Sequence, residues 1–350
     1  MNQRDRQKID LSAVKKILLI RLRRIGDIVM TTPAVTVLKE KCPDISLTYL
    51  LEEPYRELVE GNPHLDNVFV IPKKQSTKEF HDLIHEIRRE QFDVLIDFHG
   101  GPRASWLTLF SKAKLKIGYK IKNKSFLYDI KIPRSPEKGQ IHSVENHINM
   151  VEALGINVDS IPPLLIPDAV KEEKETIVKF IQENGLEDSK ILVLHIGAGN
   201  RFRDWGTDNI LALTDLFSKN PEVKIILIGA PEDKERAEEI ISKSNSKIVS
   251  AVGKLGLREL KELIAYASLF IGPDSGPMHI AATTDTPLVI YFGPTLPAHF
   301  SPWKANATLI EKDYDCRHTC RQRECIFEDF RCLQSITPQE VYIASMDILK

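Results

Sequence analysis

The chain has 350 residues, 42% of them hydrophobic and 28% charged, with a formal net charge of −1. That balance belongs to a globular protein and excludes a disordered, collagenous or strongly basic chain. No apolar run approaches the roughly 20 residues that a bilayer-spanning helix needs. The opening Met-Asn-Gln-Arg-Asp-Arg-Gln-Lys lacks the apolar centre of an export signal, so the expected compartment is the cytoplasm.

Apolar runs alternate with helix-period patterns, the signature of a parallel α/β sheet. In the first half, strands are predicted over 16–21, 46–51, 68–71 and 94–97, and helices over about 28–41, 78–90 and 143–154. The segment Ile161-Pro-Pro-Leu-Leu-Ile-Pro167 reads as a stiff connector. A helix over 169–183 then opens a second series, with strands over 191–195, 223–228, 247–251, 269–272 and 288–292 and helices over 207–218, 233–243 and 257–267. A final helix is expected over 338–349, with Thr337 as N-cap and Pro338 at its first position. Lys15-Lys-Ile-Leu-Leu-Ile-Arg-Leu and Lys190-Ile-Leu-Val-Leu-His-Ile-Gly open the two series alike. The length exceeds what one core organises. Two Rossmann-like domains facing across a cleft are therefore expected, over 1–165 and 166–335, followed by a C-terminal helix over 336–350.

Charge is unevenly spread. Nine basic residues stand between Lys112 and Lys138 against Asp129 and Glu137, and the first 24 residues hold eight basic against two acidic ones. Such a run is either a solvated face or a basic lip for an anionic partner, such as phosphate, a phospholipid surface or an acidic saccharide. Few aromatics interleave and no nucleic-acid motif appears, so nucleic acid is not expected. Four of the five cysteines, Cys316, Cys320, Cys325 and Cys332, crowd near the end. Their C-x3-C-x4-C-x6-C spacing lacks the paired C-x2-C of common zinc sites and favours a reduced, partly buried loop over a structural metal.

Two strand-to-helix turns carry the densest chemistry: Arg24-Ile-Gly26-Asp27 and Ile271-Gly-Pro-Asp274-Ser275-Gly276-Pro-Met-His279. Ligands of open α/β sheets bind at the carboxyl ends of strands, and helix starts attract phosphate. Asp27 reads as a general base at the strand's end or as a helix cap, with Gly26 making the turn before it. Gly276 and Ser275 read as a diphosphate cradle beside Asp274, with His279 close enough to donate to an oxygen. The loop from His195 through Gly197 and Gly199 to Arg203 offers a cation for a departing phosphate, and Asp233 offers a carboxylate for ribose hydroxyls or a helix start. No G-x-G-x-x-G, P-loop, G-x-S-x-G or H-E-x-x-H motif is present, which removes the usual dinucleotide, NTPase, hydrolase and zincin readings.

Taken in order, Ile20-Arg-Leu-Arg-Arg-Ile-Gly26-Asp27-Ile-Val-Met-Thr-Thr-Pro33, Asp97-Phe-His99-Gly100, Lys116-Ile-Gly-Tyr119, His142-Ser-Val-Glu145, Gly229-Ala-Pro231, Asp274-Ser-Gly-Pro-Met-His279 and Phe292-Gly-Pro-Thr295 resemble the lipopolysaccharide heptosyltransferases, glycosyltransferase family 9. The resemblance runs from about Lys15 to Leu349. It implies a GT-B fold with an acceptor-binding N-terminal domain and a nucleotide-sugar-binding C-terminal domain. It further implies inverting transfer of heptose from ADP-heptose to the lipid A-core saccharide, at the inner face of the cytoplasmic membrane. By position, Asp27 matches the family's base; Asp274, Ser275, Gly276 and His279 match donor-side positions, as do Gly197, Gly199, Arg203 and Asp233. Gly26, His99 and Arg103 fall on the acceptor side. Arg203 stands where the family often has lysine, and His99 where it often has glutamine. No cofactor is required; a divalent cation such as Mg could assist, although the resemblance does not demand one. The branch that adds a later, side-chain heptose is the nearer in its motif variants. A transferase using another nucleotide sugar and a non-catalytic nucleotide-sugar binder remain the alternatives.

Overall fold

The computed structural model describes residues 10–121, 125–134, 140–197 and 199–350. Arg4, Arg6, Lys8, Lys122, Lys124, Glu137, Lys138 and the loop residue Ala198 lie outside the described residues. The chain divides into two compact units, Met1–Pro167 and Asp168–Lys350.

The first unit is a parallel sheet of β1 (Lys16–Ile20), β2 (Ser46–Glu52), β3 (Asn67–Ile71), β4 (Val94–Asp97), β5 (Leu115–Tyr119) and β6 (Ile130–Ile132). Its strand order is β3-β2-β1-β4-β5-β6. The helices are α1 (Ile25–Val29), α2 (Thr32–Lys41), α3 (Thr77–Glu90), α4 (Pro102–Phe110) and α5 (Ser143–Glu152). In the second unit α6 (Lys171–Glu183) precedes β7 (Lys190–His195), α7 (Thr207–Phe217), β8 (Val223–Ile228), α8 (Lys234–Lys243), β9 (Ile248–Ser250), α9 (Leu257–Tyr266) and β10 (Leu269–Pro273). Then come α10 (Gly276–Ala281), β11 (Leu288–Phe292), α11 (Pro297–Phe300), β12 (Ala307–Glu311), α12 (Arg331–Gln334) and α13 (Pro338–Leu349). This second sheet is ordered β12-β11-β10-β7-β8-β9. Counted from each unit's own first strand, both sheets are therefore 3-2-1-4-5-6, the doubly wound order.

Parallel strands covered by helices on both faces need apolar side chains on both faces. β1 supplies them: Ile17, Leu18, Leu19 and Ile20 are fully buried. The first core joins Leu18, Ile20 and Leu95 to Ile84 and Leu107 from the helices. The second joins Leu192, Leu194, Leu227 and Ile271 to Trp205, Phe217 and Val341. Each such side chain contributes about 1.5–3 kcal/mol relative to exposure. The final helix α13 packs on α7, and Trp205 Nε1 donates to Ile336 O at 2.9 Å just ahead of it. It is thus an integral layer of the second unit.

The expected order of elements is present, with three added strands. β5, β6 and β12 escaped the sequence reading because they interleave lysine, glycine or threonine with their apolar residues, and β6 and β12 are sheet edges. Much of the basic run 112–138 thus lies on or beside strands. The single helix expected over 28–41 is two helices, α1 and α2, separated at Met30 and Thr31, with Pro33 in the first turn of α2.

Candidate active site

In a 3-2-1-4-5-6 sheet the connections leave in opposite directions from strands 1 and 4, opening a crevice at their carboxyl ends. In the first unit that crevice lies past Ile20 of β1 and Asp97 of β4; in the second, past His195 of β7 and Pro273 of β10. The candidate residues collect at these two points.

Asp27 sits three residues into the first crevice's helix. Its Oδ2 accepts from the Arg24 N–H at 3.2 Å and pairs with Arg21 Nη2 at 2.6 Å. Asp27 is thus not the N-cap of α1, which is Arg24, but caps that residue's N–H from the third helical position, and its Oδ1 makes no hydrogen bond among the described residues. The Asp27 side chain keeps 38% of its exposure, against 10% for Arg21. Burial raises the Asp27 pKa, and the Arg21 cation and the Arg24 N–H outweigh it, leaving the carboxyl below its ordinary value. Arg21 is itself fixed by donating through Nη1 to Phe98 O at 2.6 Å. Gly26 does not make the turn after β1, as expected from sequence; it lies inside α1, where its carbonyl accepts from Met30 N.

The β4 end is organised by Asp97, which is fully buried. Its Oδ1 accepts from the N–H groups of His99 and Gly100, both at 2.8 Å, and its Oδ2 from Tyr128 Oη at 2.6 Å. Burial raises the Asp97 pKa against these donors. Gly100 is required here: its φ is +66°, and a Cβ would lie 2.7 Å from Ile121 Cδ1. This turn presents His99, half-buried, its Nδ1 without a hydrogen bond among the described residues. Burial, then the Arg21 and Arg23 cations, push its pKa to about 4, so the imidazole is neutral near pH 7. Arg134 lies over the Tyr119 ring at 4.2 Å, and Tyr119 Oη meets Nδ1 of buried His147 at 2.9 Å.

Arg103 does not present a free cation. It pairs with Glu52 Oε1 at 3.1 Å and donates to Pro72 O at 2.9 Å and Gln75 Oε1 at 2.7 Å. Glu52 is buried, so losing this arginine would leave an unpaired carboxylate inside the unit. The exposed cations that act on the His99 turn are Arg23 and Arg134. Arg21, Asp97, Tyr119, Arg134 and His147 were missed as site residues. Arg21, Asp97 and Tyr119 lie within the quoted motifs, which marked the positions without giving roles, whereas Arg134 and His147 lie outside them.

In the second unit, Arg203 Nη1 donates to Asp274 O at 3.2 Å and stands 3.4 Å from Asp274 Oδ2. Its Nε donates to Gln322 Oε1 at 3.3 Å. The loop carrying Gly199 and Arg203 ends at Trp205, buried against Tyr291 with ring centroids 4.7 Å apart. Ser275 is the N-cap of α10 but caps no N–H. Its Oγ instead lies 3.1 Å from Nδ1 of buried His195, which burial and then Arg236 push to a pKa of about 3. Gly276 opens α10, and His279 is the fourth residue, only 3% exposed.

Asp233 Oδ2 accepts from Ala230 N at 2.8 Å. A Cβ on Gly197 would fall 2.2 Å from that same oxygen, and one on Gly229 2.7 Å from it. Both positions are glycine because the carboxylate occupies the space. Gly197→Ala is therefore expected to swing Asp233 out and break its bond to Ala230, costing about 1 kcal/mol of stability. Thermal denaturation checks the cost, and nucleotide affinity should fall with it if Asp233 holds the ribose.

The four clustered cysteines are free thiols lining one cavity of about 290 Å³ with Phe202, Pro294 and Phe330. Burial, then the neighbouring Cys316, push the Cys332 thiol up to about 11. Among the described residues no group of three or more His, Cys, Asp or Glu is arranged to hold a metal ion, and no helix is long and apolar enough to cross a membrane.

The profile of glycosyltransferase family 9 (heptosyltransferase) matches residues 80–330. Lipopolysaccharide heptosyltransferase 3 of Escherichia coli K12 is 27% identical over 303 residues, covering 81% of this chain and 84% of that protein. Among solved structures, the glycosyl transferase family 9 protein of Veillonella parvula superposes with a TM-score of 0.84 at 24% identity, covering 96% and 97% of the two chains. E. coli heptosyltransferase WaaC, solved with ADP-2-deoxy-2-fluoro heptose, superposes with a TM-score of 0.68 at 18% identity, covering 95% and 99%. With the profile spanning most of the chain and the same fold in these neighbours, the chain belongs to glycosyltransferase family 9, the heptosyltransferase family, and is a glycosyltransferase of GT-B fold.

Proposed function

We propose that this enzyme moves a heptose from ADP-heptose to the lipopolysaccharide inner core by a single inverting displacement, with Asp27 as general base. The observation that carries this reading is the division of labour within one carboxylate. Oδ2 is held by Arg21 and the Arg24 N–H, which leaves Oδ1 to accept a hydroxyl proton. The acceptor oxygen forms its bond to the anomeric carbon as the carbon–oxygen bond to ADP breaks. The acceptor proton passes to Asp27, and ADP leaves with the bonding electrons, opposite the entering oxygen. Arg203, the Gly197 and Gly199 loop and the backbone around Ser275 and Gly276 would meet the diphosphate charge, while Asp233 would reach the ribose. A divalent cation such as magnesium is compatible with this scheme and no step depends on it.

Neutral His99 and the Arg134 cation, with Gly26 behind Asp27, would face the acceptor, whose phosphates and carboxylates suit a basic surface. Arg103 supports that side through Glu52. An acceptor of this kind places the enzyme at the inner face of the cytoplasmic membrane. The test is product mass and ADP release with ADP-heptose and a truncated-core lipopolysaccharide. A heptose-sized gain is expected. No gain and no donor binding, with transfer from a different nucleotide sugar, would move the enzyme to another surface glycan.

A further inference from the structure

The outer face of α4 is unusually apolar for a surface. Ala104, Leu107 and Thr108 turn inward, while Trp106 and Leu109 are 55% and 43% exposed. Trp106 stacks on Phe110 with centroids 5.7 Å apart and planes 10° from parallel. The short helical turn Ser125–Leu127 packs beside α4, and its Phe126 is 77% exposed. Two aromatic side chains and a leucine therefore stand in water on neighbouring elements, where a soluble protein ordinarily places polar groups.

The flank of this patch is basic. Lys112 stands exposed just past Ser111, the C-cap of α4, and Lys114, Lys120, Lys131 and Arg134 are exposed on β5, β6 and their connections. Of the nearby carboxylates, Asp93 pairs with Lys114 and Asp129 accepts the Lys116 N–H. A positive excess remains around the apolar centre. Tryptophan and phenylalanine prefer the level of lipid headgroups, and lysines gain about 1 kcal/mol each near an anionic leaflet.

We propose that the α4 face, with Trp106, Leu109 and Phe126 as its apolar contacts and the surrounding lysines as its charge, docks the enzyme on an anionic phospholipid surface. The patch is argued from its own chemistry. Because the membrane location given under the proposed function would use it, the test contains neither donor nor acceptor, so its failure and a failure of transfer are separately visible. The full chain is mixed with phosphatidylglycerol-containing vesicles and, separately, with pure phosphatidylcholine vesicles, and bound protein is sedimented.

Binding to the anionic vesicles is expected, with a blue shift of tryptophan emission that Trp106→Phe abolishes. Trp106→Ala with Phe126→Ser should weaken binding at least about tenfold. Lys112→Glu with Lys131→Glu should weaken it by about 25-fold or more, at roughly fivefold per lysine, and raised salt should mimic this. Circular dichroism confirms that each variant is folded. Equal binding to both vesicle types, binding unaffected by the aromatic variants, or no binding overturns the proposal. So does self-association, or capture of single-stranded DNA, that the Trp106→Ala change removes, since the patch would then serve a second copy or a nucleic acid.

Discussion

Exchange of Asp27 for asparagine is expected to lower kcat by about 10²–10⁴-fold while donor affinity changes little. Asparagine has the same shape, and its side-chain oxygen can still accept from the Arg24 N–H that now bonds Oδ2. The start of α1 should survive, and the loss reports proton acceptance alone. A purely capping Asp27 would leave kcat nearly intact in this variant. The depressed pKa of Asp27 fits a base for this displacement. The attacking hydroxyl becomes strongly acidic only as its oxygen bonds to the anomeric carbon, so a weak base suffices late in the step.

The sign of the pH effect follows. A base must be deprotonated, and one held below the ordinary carboxylate value sustains the rate to lower pH before the acid limb begins. Arg21→Met removes the cation that outweighs burial, so the limb should move to higher pH, with kcat reduced where the wild type is still on its plateau. An acid limb that stays in place in the Arg21 variant would show that another group sets it.

The motifs at Asp27, Asp97–Gly100 and Asp274–His279 were legible because each needs a particular small or charged residue at a strand's end. What was not legible is which partner each side chain takes, since those partners come from distant elements. Arg103 shows this. A basic residue near an acceptor loop looks available in sequence, yet it is matched by Glu52, 51 positions away, and Glu52 is buried only once β2 is paired. Ser275 was read as part of a diphosphate cradle, and the fold brings its hydroxyl to the distant His195.

The strands show the same division. Strands with long apolar runs, such as Lys16–Ile20, Lys190–His195 and Leu288–Phe292, were found because a parallel strand buried on both faces must read that way. Leu115–Tyr119 carries Lys116 and Gly118, and that glycine is itself a packing device: a Cβ there would lie 2.3 Å from the Tyr128 ring. Tyr128 then reaches Asp97. The glycine, the tyrosine and the aspartate form one unit of the site that no local pattern announces.

Acidification should destabilise both units well before the carboxylates titrate. His147 in the first unit and His195 in the second are each 5% exposed. Each has a pKa pushed down to about 3, by burial first and then by Arg21 or Arg236. In the unfolded chain a histidine protonates near 6.5. Above that pH both states are neutral and the histidines contribute nothing. As pH falls from 6.5 towards 3, the unfolded state gains protons that the fold refuses, and stability falls. At pH 4.5 the loss is on the order of 2–3 kcal/mol for each histidine, a large part of a net stability of about 5–15 kcal/mol. Asp97 opposes this, because its raised pKa favours protonation in the fold, but only once pH approaches the carboxylate range. Urea unfolding between pH 7 and 4.5 measures the slope. His147→Phe, which retains an aromatic ring beside Phe98, should start less stable because Tyr119 loses its partner. Its slope should nevertheless be shallower by about 1.4 kcal/mol per pH unit in that window. A wild-type stability that stays flat from pH 7 to 4.5, or a variant with an unchanged slope, would mean that these imidazoles accept protons within the fold. Initial rates for the Asp27 acid limb therefore belong at protein and denaturant conditions where this unfolding has not begun, so that loss of the base and loss of the fold are read apart.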